Sequence, residues 1–229
     1  MNPLDSPVWH ALTGPHAKVA EGGNHARRYR PDFTVWCALH PEPDPAAWHQ
    51  LATIVGDGGV ALLSGPPSDL HDWEIIRSFP ILQMVLEEQV VAEAPADVVA
   101  LDASHADAMA ALAHATEPGP WAQRTHELGD FFGAFGADDR DLLAMAGERL
   151  RLPTATEISG VCTDPDHRGR GLAAMLVTEV ARGIQARGEL PFLHVRAENT
   201  AAIRVYERLG FRTRIQTQVA VVHRPSAST

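Results

Sequence analysis

Residues 157–173, Glu-Ile-Ser-Gly-Val-Cys-Thr-Asp-Pro-Asp-His-Arg-Gly-Arg-Gly-Leu-Ala, read as an apolar strand, a tight turn, a glycine-rich basic loop and a helix start. That order suits anion chemistry. Amides freed by glycine and at a helix N-terminus point outward, and the helix dipole adds to their pull on a phosphate. The loop is neither a Walker A motif, since no Gly-Lys-Ser/Thr ending follows, nor GxGxxG. It fits the shorter pattern Gln/Arg-x-x-Gly-x-Gly/Ala, with Arg168, Gly171 and Ala173 at the fixed positions. A solvated glycine turn with a basic rim would fit the same residues.

Downstream, Asn199 and Tyr206 are seven residues apart in Asn-Thr-Ala-Ala-Ile-Arg-Val-Tyr-Glu-Arg-Leu-Gly-Phe. Two helical turns put them on one face. With both motifs in this order, residues of about 97–229 resemble the GNAT superfamily of acyl-CoA-dependent N-acetyltransferases. The resemblance implies acetyl-CoA as donor and a primary amine as acceptor, with direct attack on the thioester and no metal. A non-catalytic acyl-CoA-binding or regulatory module, or a protein or peptide N-acetyltransferase, are the alternatives.

Roles carry over by position. The backbone of Val161, Cys162 and Thr163 would pair with the pantetheine arm. The amides of Arg168, Gly169, Arg170, Gly171, Leu172 and Ala173 would hold the pyrophosphate, with the two arginines adding charge-assisted contacts or staying solvated. Gly160 matches the family's strand bulge. Glu157, eleven residues before Arg168, matches a general-base glutamate of the histone-type branch. Desolvation would raise its pKa enough to take the amine's proton, directly or through water. Its plain alternative is a surface glutamate on an edge strand. Tyr206 resembles the tyrosine that faces the cofactor sulfur, where it would protonate the leaving thiolate or simply pack its ring. Asn199 would contact the pantetheine arm, cap a helix, or do both. Cys162 is read as an inert buried thiol and not a nucleophile; His167 and His194 stay unassigned.

The elements around these residues follow from periodicity and punctuation. Leu172, Met175, Leu176, Val180 and Ile184 fall on one face of a helix over 171–187, ended by Gly188. Strands are expected at 98–101, 131–135, 142–150, 154–163, 192–196, 211–215 and 219–223, with a turn at 136–139. A helix capped by Ser104, with Asp107 as its capping-box acid, runs to 116; 121–128 suits a short second helix, and 200–209 another. The same resemblance implies that Trp121, Arg124, Phe131, Phe132 and residues near 215–221 shape the acceptor groove, although the aromatics also read as core. Upstream, apolar pieces at 33–39, 46–55, 60–64 and 75–86 suggest a smaller α/β region over 1–95. It is either a degenerate GNAT half or an unrelated cap, with its boundary at 93–96 before a GNAT domain over 96–229. The fold class is α/β of the α+β type: a twisted, mixed, mostly antiparallel sheet flanked by helices. The tail 225–229 is expected to fray.

Composition narrows the rest. A formal net charge of −10 argues against nucleic acid as partner and weakly favours a cationic amine, although an acidic solubilising surface explains it as well. The 12 histidines include no HExxH and the two cysteines no CxxC, so no metal site is expected. No secretory signal and no apolar run of ~20 residues is present, so no membrane association is expected. Two distant cysteines suit a reducing cytoplasm. A small-molecule acceptor is expected; a homo-oligomer is left open.

Overall fold

The computed structural model describes residues 2–90, 97–136 and 141–225. In chain order the elements are α1 (Pro7–Thr13), β1 (Ala20–Gly22), β2 (Ala26–Tyr29), β3 (Trp36–Leu39), α2 (Pro45–Val55), β4 (Val60–Ser64) and β5 (Glu74–Val85). Then come β6 (Val99–Leu101), α3 (Ala106–Thr116), β7 (Phe131–Phe135), β8 (Leu142–Arg151) and β9 (Ala155–Thr163). The chain closes with α4 (Leu172–Ala186), β10 (Leu190–Arg196), α5 (Thr200–Arg208) and β11 (Arg212–His223).

The eleven strands of the described residues join one sheet in the order β1-β2-β3-β4-β11-β5-β10-β9-β8-β7-β6. Its neighbours are antiparallel except β3–β4 and β9–β10. Parallel neighbours need a crossover, and α2 and α4 supply it. The expected boundary at 93–96 lies outside the described residues. Strands from either side of it interleave, with β5 hydrogen-bonded between β10 and β11.

Helix ends follow local chemistry. Asp44 caps α2 by accepting from the Ala47 amide at 3.0 Å, with Pro45 at the first position, where its missing N–H costs nothing. Ahead of α3 the cap is Asp102 and not Ser104. Its carboxylate accepts from the Ser104 amide at 2.9 Å and opens a 3-10 turn over Ala103–His105. An ionised acceptor two residues earlier outcompetes the hydroxyl, which itself donates to that carboxylate at 2.6 Å. The stretch 121–128 forms only a 3-10 turn, Thr125–Leu128. The last two expected strands are one, β11, because polar Gln216–Gln218 face solvent without turning. The expected turn at 136–139 and the expected tail at 225–229 fall largely outside the described residues.

Four buried clusters cover the sheet among the described residues, and two of them flank the central strands. On one face Leu176, Val180 and Ile184 of α4 are fully buried against Ile158, Leu193, Tyr206 and Phe211. Each such side chain contributes about 1.5–3 kcal/mol by leaving water. On the other face α1 packs Val8 and Leu12 with Tyr29, Ile81 and Phe192. Here His16 is buried. Its Nδ1 accepts from the Tyr29 hydroxyl at 2.8 Å, and Nε2–H donates to the Leu128 carbonyl at 3.2 Å. Burial holds its pKa down at about 4. A histidine lowered in the fold binds its proton more readily when unfolded, so its stability contribution is complete above pH 6.5 and fades as pH falls to 4. Urea titrations across that window should lose about 3 kcal/mol that a His16→Gln variant does not lose.

Candidate active site

β9 and β10 form a fork. Their parallel pairing runs from Leu190 opposite Ala155 to Leu193 opposite Ile158 and goes no further. Beyond that point β10 stays on β5 as far as Arg196, and β9 stays on β8 as far as Thr163. Among the described residues, the inner edge of 159–163 therefore carries strand amides and carbonyls with no strand partner. A bulge sits at the fork. Gly147 lies opposite Ser159 and Met145 opposite Cys162, so two steps on β8 answer three on β9. Gly160 absorbs the extra residue at φ +63, and a Cβ there would also come within 3.0 Å of the Phe131 ring. Val161, Cys162 and Thr163 line the free edge just past it. Burial pushes the Cys162 thiol up to about 11, which keeps it protonated and unreactive at neutral pH.

The basic loop follows. Asp164 caps a 3-10 turn over Pro165–His167 and holds the His167 ring at 3.0 Å. Gly169 and Gly171 then take φ +77 and +82, and a Cβ on either would meet nothing within 4 Å. Glycine is needed for the sign of φ, and the space before it stays open. Among the described residues, no amide from Arg168 through Ala174 makes an internal hydrogen bond; the first to close the helix is Met175, donating to Gly171 at 3.0 Å. These amides and the positive end of α4 form an anion cradle at the mouth of the fork. Arg168 and Arg170 are exposed beside it.

On the α4 face, Tyr206 packs with Ile158 and Leu193, its ring edge-on to Phe211 at 6.0 Å. Burial pushes its phenol up to about 12. The hydroxyl thus carries its proton at neutral pH, and it has no hydrogen-bond partner among the described residues. Asn199 caps α5, accepting from the Ala202 amide at 3.1 Å.

Glu157 and His194 precede and follow Ile158 and Leu193, so strand alternation turns them to the opposite face. The structure thus sets Glu157 and Tyr206 on two sides of one fork. Glu157 is fully buried. Arg149 donates to it from Nε at 2.9 Å and Nη2 at 3.0 Å, and His194 from Nδ1 at 2.7 Å. Burial alone would push the carboxyl up, as expected from sequence; Arg149 and His194 outweigh it and bring the pKa to about 2. The chain of contacts continues outward. His194 Nε2 meets Gln83 Nε2 at 3.2 Å, and Gln83 also donates to the Leu4 carbonyl at 2.9 Å. Arg214 donates to Gln83 Oε1 at 2.8 Å and pairs with Asp5. Sequence reasoning missed Arg149, Gln83 and Arg214. The one available signal was an arginine inside the apolar run of β8.

A narrow cleft opens beside the bulge, lined by Trp121, Thr125, Phe131, Arg149, Ser159 and Gly160. Of the residues expected to shape a groove, Trp121 and Phe131 are here. Arg124 is instead tied to Glu127 and Asp32 over the Phe33 ring, and Phe132 packs in the α4 core. Among the described residues no group of three or more His, Cys, Asp or Glu is placed to hold a metal ion, and no helix is long and apolar enough to cross a membrane.

A solved GNAT-family structure from Novosphingobium aromaticivorans is 41% identical to this chain, with a TM-score of 0.88 and a match covering 100% of both chains. The chain belongs to the GNAT family. The FR47-like protein family matches residues 134–220, the part of this GNAT chain that holds the bulge, the basic loop, α4 and α5. Mycothiol acetyltransferase of Rhodococcus jostii is 33% identical over 88% of this chain and 66% of its own length. The alanine N-acetyltransferase of ribosomal protein bS18 from Salmonella typhimurium is 38% identical over 40% of this chain and 64% of its own. The chain thus spans less than two thirds of the length of these curated relatives.

Proposed function

We propose that this chain transfers an acetyl group from acetyl-CoA to a primary amine. The observation that carries the reading is the row of unbonded amides at 168–174 lying at the mouth of a fork with a free strand edge. A diphosphate suits the first and an extended amide-bearing arm suits the second. Bound acetyl-CoA supplies the acetyl group and a thiolate leaving group.

The amides of Arg168 through Ala173 hold the diphosphate, assisted by Arg168 and Arg170. The edge of Val161–Thr163 and the Asn199 side chain hold the pantetheine arm. Tyr206, protonated and without another partner among the described residues, gives its proton to the departing sulfur. Glu157 supplies a fixed negative charge on the face where the amine enters. The amine is that of a small molecule, which suits the narrow cleft at Trp121 and Phe131 and an acidic chain. Residues 1–95 shape that side, since Leu4 and Asp5 reach the Gln83–Arg214 pair. The free, buried Cys37 and Cys162 suit a reducing cytoplasm.

The test is thiol release from acetyl-CoA with a panel of small primary amines and alanine-starting peptides. Turnover with a small amine is the expected result. Turnover confined to peptides would move the acceptor to a protein N-terminus. Tight coenzyme A binding with no turnover anywhere would leave a binding module.

A further inference from the structure

We propose that His194 Nε2 is the atom that takes the amine's proton, with Glu157 and Gln83 as positioning residues. This rests on the acetyl-transfer reading above.

His194 directly follows Leu193, the last β10 residue paired with β9, so it stands at the apex of the fork. Its side chain lies on the face opposite Tyr206. Hydrogen-bond accounting fixes its tautomer. The Gln83 carbonyl oxygen is taken by Arg214, which Asp5 anchors. The Gln83 amide nitrogen must then face the imidazole, and it donates to the Leu4 carbonyl and to Nε2. A ring nitrogen that receives a donor carries no proton. Nδ1–H therefore donates to Glu157, and the Nε2 lone pair, aimed away from the carboxylate, is engaged by the Gln83 N–H at 3.2 Å.

Glu157 is a poor candidate for the same task. Its oxygens already receive three N–H donors, and it is sealed from solvent. It instead orients the ring and stabilises the imidazolium that forms, as a buried carboxylate does for a histidine base. The Gln83 contact, at 3.2 Å, is the longest around His194, and it is the one an incoming N–H can replace. The charged and titratable groups around the ring are Glu157 with Arg149 behind it and Arg214 with Asp5 through Gln83; Tyr29 lies beyond Glu157, its phenol pushed up by burial and by that carboxylate, and bonds His16. Phe192 closes the ring's edge at 5.7 Å.

The step balances. Nε2 takes one proton from the ammonium, and the freed nitrogen lone pair forms the C–N bond to the acetyl carbon. The C–S electron pair leaves with sulfur, which takes the Tyr206 proton. The second amine proton restores Tyr206, and His194 returns its proton to solvent.

Two measurements test this. The first is the pH dependence of kcat/KM for wild type, His194→Gln and Glu157→Gln, on the panel amine with the best turnover. His194→Gln should lower kcat/KM about 100- to 1,000-fold, abolish the acidic limb and leave coenzyme A affinity intact. Glu157→Gln should move that limb without abolishing it. An active wild type with His194→Gln within threefold of it, limb retained, overturns the assignment and leaves the transfer reading standing. The second is the nitrogen spectrum of ¹⁵N-histidine-labelled protein at pH 8, which needs no acceptor. An unprotonated Nε2 at His194 is expected, and a protonated Nε2 overturns the proposal even where turnover is absent.

Discussion

Replacing Gly171 with alanine should weaken acetyl-CoA binding about 10- to 100-fold while leaving the protein folded. Gly171 is the cap of α4 at φ +82, and an added Cβ meets no protein atom within 4 Å. Within the chain the substitution costs only the left-handed backbone, about 1–2 kcal/mol. Toward a ligand it does more. The methyl group occupies the open side of the cradle and turns the amides of Leu172 and Ala173 away. Losing one charge-assisted hydrogen bond costs about 1.5–3 kcal/mol, which gives the stated loss. Gly183 is the internal control. It lies inside α4 with equally open space and without a positive φ. Gly183→Ala should raise stability by about 0.5–1 kcal/mol and leave binding unchanged. Calorimetric titration with acetyl-CoA and thermal melts on both variants check this; equal affinities in the two would remove the cradle from the binding site.

Tyr206→Phe should lower kcat about 100- to 1,000-fold with little change in KM for acetyl-CoA. The hydroxyl has no hydrogen-bond partner among the described residues, so its removal leaves no buried group there unsatisfied and the melting temperature should hardly move. The phenol sits at about 12 and stays protonated throughout the neutral range. The deficit should therefore be the same at pH 6 and pH 9. A kcat within threefold of wild type would leave Tyr206 as a packing residue only.

The local features of this site were legible in the sequence because they depend on neighbours in the chain. Glycine at 169 and 171 frees the amides of the basic loop, and the spacing of Leu176, Val180 and Ile184 sets the buried face of α4. Gly160 announced the bulge for the same reason. What stayed hidden is non-local. Nothing near Glu74–Val85 says that it will lie between β10 and β11, because its partners are more than a hundred residues away. The Glu157 pKa went the wrong way on the same account. Desolvation can be inferred from an apolar strand, but Arg149 and His194 arrive through strand pairing and register. The short pieces α1, β1 and β2 escaped because three to seven residues carry too little periodicity to read.

The most direct test of the central claim is a crystal structure of the chain with coenzyme A bound. The expected result is diphosphate oxygens on the amides between Arg168 and Ala173, with the pantetheine arm along Val161–Thr163 inside the fork. A nucleotide bound elsewhere, with those amides facing only solvent, would contradict it.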